Sequence, residues 1–268
     1  MMRMSSRTCS LEGRQLQMTE ACLFLSEYAA LMLGCGATCI RIEKNVRRMA
    51  RAMGMRPVLV IMPSSVELTL WDREHRLSSC NTEPIHRKGI RFDMNTRLSS
   101  LSWELADGKV TFDEARRRFA VISRLKPANK WLILILASLA NASFCRLFGG
   151  DLVSMGIVLA ATLAGFRLRQ IMLEDGIDIR LVFAISAFVS SVIGSAGYVF
   201  GIGETPDVAL GTSILYLIPG IPYLNSMSDL LDGHYLSFLS RFMDAAVLTA
   251  CLSAGLCGGL LAMSIKWF

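Results

Sequence analysis

Apolar positions are distributed in two different ways along these 268 residues. Up to about residue 130 they recur singly, at helical or alternating spacing, among charged side chains. Beyond Trp131 they run together in long blocks. The first pattern predicts amphipathic elements with one wet face. The second predicts helices that are apolar all round, as a bilayer requires.

In the front part, Cys22, Leu25, Ala29, Met32 and Leu33 share a helical face, so a helix is expected from a Thr19 cap to about Leu33, closed by Gly34 and Gly36. A second helix is expected over 40–53, with Arg41, Lys44, Arg47, Arg48 and Arg51 on its wet face and Gly54 after its end. Residues 58–62 form a short β-branched run. Val66, Leu68 and Leu70 alternate with Glu67, Thr69 and Trp71, the period of a half-buried strand. Further strands are expected near 76–81 and 90–92. Helices follow over 95–106 and 112–125, the second opened by the capping box Thr111-x-x-Glu114. This is the order of a small α+β domain over residues 18–130, behind a flexible N-terminus, 1–17.

Residues 131–268 predict five spans, at about 131–148, 152–166, 181–203, 208–224 and 242–265. Gly149-Gly150-Asp151 turns the chain after the first, Arg167 and Arg169 end the second, and Glu204-Thr205-Pro206-Asp207 separates the third from the fourth. Spans one and two have only about fifteen clean residues each, short of the roughly twenty a straight crossing needs. Local thinning, or snorkelling of Arg146, would compensate. The expected fold is therefore an α-helical integral membrane protein with about five transmembrane helices preceded by a small cytosolic α+β domain.

Charge fixes an orientation. Residues 1–130 carry a net +9 and residues 131–268 a net −3. Lys126, Lys130, Arg167, Arg169, Arg180 and Arg241 fall at alternate loops, which the positive-inside bias places in the cytosol. The N-terminal domain is then cytosolic and the C-terminus external, with Lys266 as the exception. The same bias accounts for the basic excess. No aromatic–basic interleaving points to nucleic acid, which is not an expected partner. A mean hydropathy of +0.45 excludes an ordinary soluble chain.

Chemistry-bearing patterns are few. GxSxG, HExxH and P-loop motifs are absent, so neither an enzyme nor a nucleotide-driven pump is expected. Cys9, Cys22, Cys35, Cys39, Cys80, Cys145, Cys251 and Cys257 include no CxxC pair. They read as small hydrophobes, Cys35 and Cys39 among them, and no metal or cofactor is expected. His75, beside Asp72 and Glu74, reads as a solvated hairpin. Arg3 and Arg7 precede an apolar stretch that Glu20 and Glu27 interrupt, which argues against a signal peptide.

Within the apolar half, Gly197 with Gly201 and Gly255 with Gly259 form GxxxG pairs, which suit helix packing, with a gating role as the sharper alternative. Pro219-Gly220-Ile221-Pro222, followed by Asn225 and Asp229, predicts a helix broken at membrane depth beside a substrate path, or a helix end at the interface. Asn141, Arg146, Asp151 and Arg167 are polar or ionisable groups in or beside spans, and such groups are functional candidates.

Phe148-Gly149-Gly150-Asp151, Arg167-x-Arg169-Gln170 and Pro219-Gly220-Ile221-Pro222-x-x-Asn225-x-x-x-Asp229 resemble the threonine/serine exporter family. Gly36-Ala37-Thr38, Arg41-x-Glu43 and Ala52-Met53-Gly54 are similar too. The resemblance covers about residues 18–266. It implies the split, two-component form, in which a chain of this size acts with a second small integral membrane subunit in the bacterial inner membrane. It implies export of threonine and serine, or of a dicarboxylate such as succinate. Arg146, Arg167 and Arg169 could offset a carboxylate by charge, but basic residues are common at span boundaries and do not choose a substrate. The competing expectation is a membrane-tethered sensor or assembly factor without transport activity.

Overall fold

The computed structural model describes residues 2–265, with side chains from 13 onward. Cys9, Arg3, Arg7 and Lys266, used above, lie outside the described side chains. The chain divides into two compact units, one of Met1–Lys126 with Ile221–Phe242 and one of Pro127–Gly220 with Met243–Phe268. A segment from the apolar half thus belongs with the front domain.

In the first unit, α1 (Met2–Gly34) and α2 (Cys39–Ala52) precede β1 (Met55–Ile61), β2 (Ser65–Asp72) and β3 (Ser78–Pro84). The strands form an antiparallel meander, with Leu59 opposite Leu68 and Leu68 opposite Asn81. Val66, Leu68 and Leu70 are fully buried, as the alternation predicts. They meet α1, whose Cys22 thiol donates to Leu68 O at 3.3 Å and whose Ser26 hydroxyl accepts from Asn81 at 2.7 Å. Next come α3 (Phe92–Ala106) and α4 (Phe112–Ser123). Buried Tyr28 connects three helices: its hydroxyl donates to Leu98 O at 2.9 Å and accepts from Asn45 at 3.1 Å. Thr111 caps α4 by accepting from the Glu114 amide at 3.3 Å, while the Glu114 carboxylate pairs with Arg117 and Arg118 rather than returning to the cap.

Three expectations need correction here. Helix α1 does not begin at Thr19. The helix runs through Gly13 without interruption, and the Thr19 hydroxyl bonds back to Gln15 O at 2.9 Å inside it. No strand forms at 90–92. The Lys88 and Arg91 amides instead donate to Gly34 O and Cys35 O, satisfying carbonyls at the end of α1, and α3 starts at Phe92. Strand β3 starts at Ser78 rather than near residue 76, because the turn through His75, at φ 54°, uses the residues before it.

The second unit holds α5 (Lys130–Leu147), α6 (Leu152–Glu174), α7 (Ile179–Gly194), α8 (Ala196–Phe200), α9 (Pro206–Ser213) and a 3₁₀ turn, Leu215–Leu217. Helix α10 (Gly220–Leu231) lies mostly in the first unit, and α11 (Tyr235–Ala262) begins there and ends in the second. Among the described residues, four stretches are long and apolar enough to cross a membrane: α5, α6, Ile179–Phe200 and α11. They become five if Pro206–Leu217 and Gly220–Leu231 count as one broken span. On α5, Trp131, Leu132, Ile135, Leu136 and Leu139 are exposed, an apolar face of the kind that lipid covers.

Arg167 and Arg169 do not end the second span. Helix α6 continues to Glu174 because both guanidiniums lie over rings, Arg167 over Trp131 at 4.6 Å and Arg169 over Phe166 at 5.5 Å. The resulting 23 residues remove the length deficit of the second stretch, while α5 has 18. The third candidate span is interrupted at Ser195 and closes at Gly201, and the last apolar helix starts at Tyr235, ahead of residue 242.

Candidate functional site

The turn joining α1 to α2 is built for close approach. Gly36 adopts φ +82°, and the amides of Gly36 and Ala37 bond back to Leu33 O and Met32 O at 3.0 Å each, closing α1. Thr38 stands at the N-cap of α2 but makes no side-chain cap bond. The cap comes from far along the chain. Asp229 Oδ1 accepts from the Cys39 amide at 2.9 Å. Beside it, Asn225 Nδ2 donates to Gly36 O at 2.9 Å and Arg241 Nη2 donates to Ala37 O at 2.8 Å. Three side chains from α10 and α11 therefore hold backbone groups of one short turn.

Electrostatics explain the choice of residues. Asp229 is fully buried, where an isolated carboxylate would be costly. The first amides and the dipole of α2 favour negative charge there. Arg241 Nη1 supplies the counter-charge at 2.9 Å from Asp229 Oδ2. Nearby, His234 Nε2 lies 3.7 Å from Glu43 Oε1. Burial pushes the Cys39 thiol up to about 12, with Asp229 adding to the shift against the Ser237 hydroxyl, so this sulfur stays protonated and unreactive.

The predicted site residues do not form one cluster. Asn225 and Asp229 belong to the first unit and Asn141, Arg146, Asp151 and Arg167 to the second. Pro219 lies in the break, where Ile218 is extended, and Pro222 lies in the first turn of α10, which restarts at Gly220. Asn141 is buried and donates to Thr162 Oγ1 at 2.7 Å and Thr212 O at 2.9 Å, joining α5, α6 and α9. Arg146 donates to Gly150 O at 3.0 Å, at the end of its own helix. Asp151 caps α6 through the Ser154 amide at 2.9 Å and accepts from the Thr205 hydroxyl and Glu204 amide. The Ser154 side chain and amide, then Glu204 and Thr205, hold its carboxyl far below the usual carboxylate range.

The glycine pairs differ. A β-carbon at Gly255 would meet the Ala184 carbonyl, and one at Gly259 would meet the Ser191 hydroxyl, so both lie tight against α7. Gly201 has open space and a left-handed φ of 62° and ends α8, while Gly197 faces Pro206. Gly197 and Gly201 therefore do not share a packing face.

Two arginines carry more than the sequence suggested. Arg241 reads as a loop marker until the fold brings it to Asp229. Arg169 reads as a helix terminator, yet its Nε is buried without a hydrogen-bond partner among the described residues. Its position one turn after Gly165, with no breaker before Gly176, was the available signal. Among the described residues, no group of three or more His, Cys, Asp or Glu side chains forms a metal site.

The profile of the family described as putative threonine/serine exporter matches residues 23–263. A probable succinate transporter subunit YjjP from Klebsiella aerogenes is 26% identical over 91% of this chain and 93% of its own. The protein of the same description from Escherichia coli K12 is 25% identical over 90% of this chain and 93% of its own. A probable threonine/serine exporter from Mycobacterium tuberculosis is 27% identical over 67% of this chain and 35% of its own. No solved structure matches this chain.

Proposed function

This chain belongs to the putative threonine/serine exporter family, and on that premise we propose that it is one subunit of an inner-membrane secondary exporter for small carboxylate-bearing solutes. The second subunit is a separate small integral membrane protein, consistent with the word subunit in the names of its YjjP relatives. The solute is threonine or serine, or a dicarboxylate such as succinate. A solute or ion gradient drives the movement unless the second subunit supplies the energy, this sequence carrying no P-loop motif. The basic α+β domain faces the cytosol and the C-terminus the outside, as the cation asymmetry favours.

The observation that carries this reading is the broken segment at 218–222. A tether gains nothing from an apolar helix that stops at Ile218 and Pro219 and restarts at Gly220, with Pro222 in the new first turn. Discontinuous helices are how many transporters expose backbone polar groups to a substrate. The adjoining Asn225 and Asp229 then fix the second half of the segment to the α1–α2 turn, so movement at the break would be felt in the basic domain.

Replacing Pro219 and Pro222 together with Ala tests this. Helix hydrogen bonds should be restored, membrane levels should hold or rise, and solute efflux per embedded protein should fall severalfold. Asn225→Leu should also lower efflux while leaving insertion intact. Full efflux in both variants would reduce the motif to a helix end.

A further inference from the structure

Arg169 is the least explained charge in the second unit. Its Nε is buried and makes no hydrogen bond among the described residues, and no acidic side chain there pairs with it. Its guanidinium lies between two rings instead, 5.5 Å from the centroid of Phe166 and 5.6 Å from that of Phe183. Ring faces contribute attraction but accept no hydrogen bond in the guanidinium plane. A cation among apolar helices without a counter-ion is costly, and a retained one calls for an anion.

Hydroxyl groups gather on the same side of α6. One turn before Arg169, Gly165 lies against α7 and the 3₁₀ turn so closely that a β-carbon would meet the Ser190 and Tyr216 hydroxyls, with Ser186 O also near. Those two hydroxyls lie 2.9 Å apart, and the Tyr216 ring is 5.7 Å from that of Phe166. Ser186 is fully buried, and its hydroxyl has no hydrogen-bond partner among the described residues. A guanidinium with a free edge, an unengaged hydroxyl and an aromatic wall form the donor set that a small carboxylate requires.

We infer that Arg169, assisted by Ser186 and walled by Phe166, Phe183 and Tyr216, is the carboxylate-binding subsite of this unit. The inference rests on the exporter reading and deepens it. Arg169 binds the carboxylate by charge-assisted hydrogen bonds, and Gly165 keeps the neighbouring hydroxyls close by having no side chain. The ligand class is a short aliphatic acid carrying at least one free carboxylate, with the remainder against the rings.

The test is equilibrium binding of radiolabelled succinate and L-threonine to the full chain co-purified with its small membrane partner in lipid nanodiscs, with neutral succinamide as competitor. Wild type should bind at least one acid, and succinamide should not compete. Arg169→Met should weaken binding about a hundredfold, the scale of losing a charged pair of hydrogen bonds. Arg169→Lys should weaken it about tenfold and Ser186→Ala about fivefold, by the loss of single bonds. Arg180→Gln, at the exposed start of α7, should change nothing. If Arg169→Met does not insert, Arg169→Lys and Ser186→Ala carry the decision. Wild-type affinity in those variants, or equal binding of succinamide, overturns the subsite while leaving the exporter reading in place. No binding of either acid to wild type overturns both.

Discussion

Removing the carboxylate of Asp229 should loosen the start of α2, some 190 residues away in sequence. Asp229→Ala deletes the acceptor of the Cys39 amide, a cap worth about 1 kcal/mol. It also leaves Arg241 Nη1 buried without its counter-charge, which for a fully buried pair costs about 3–5 kcal/mol. Arg241 is 19% exposed and keeps its bond to Ala37 O, so the lower end applies. The sum is about 4 kcal/mol, or roughly a thousandfold loss of protection for the amides at the start of α2. Asp229→Asn keeps an oxygen for Cys39 and should lose about 2 kcal/mol. Asp229→Ala with Arg241→Met removes both charges and should recover at least about 1 kcal/mol relative to additivity. Hydrogen exchange read by mass spectrometry over residues 36–46 measures all three. Unchanged protection in Asp229→Ala, or strict additivity in the double variant, would refute the pairing as the source of stability.

Two further outcomes follow from packing and burial. Gly255→Ala and Gly259→Ala should each destabilise α11 against α7 by about 1–3 kcal/mol, because the neighbours are the Ala184 backbone and the Ser191 hydroxyl; Gly156→Ala, with open space around it, should be neutral or better, and equal melting of all three in detergent would contradict the contact. Maleimide at pH 8 should label exposed Cys80 but spare Cys39 and Cys145 until unfolding, since Cys39 is buried and its thiol is pushed up to about 12; rapid labelling of Cys39 in the folded chain would contradict its burial under Asp229.

Local pattern was readable where a residue's fate depends on near neighbours. The alternation at 65–71 gave the buried face of β2, Thr111 announced its cap, and uncharged blocks announced α5 and α11. Reading failed where distant groups decide. Arg167 and Arg169 looked like helix ends because their rings, Trp131 and Phe183, come from other helices. Thr38 stands at the N-cap of α2 without capping it, and nothing near it in the sequence shows that Asp229 takes that task. The break at Pro219 was visible because proline acts on its own backbone. That the segment beyond it would belong with the front domain was not, since that depends on Asn225, Asp229 and Arg241 finding Gly36, Ala37 and Cys39.

The central claim is a two-subunit exporter of small carboxylates, and reconstituted flux tests it most directly. Proteoliposomes would be loaded with radiolabelled succinate or threonine and would contain this chain alone, the proposed second small membrane subunit alone, or both. The account predicts carboxylate efflux only when both are present, at least tenfold above either alone. Full efflux from the single chain would contradict the two-subunit claim, and no efflux of either solute from the pair would contradict the exporter itself.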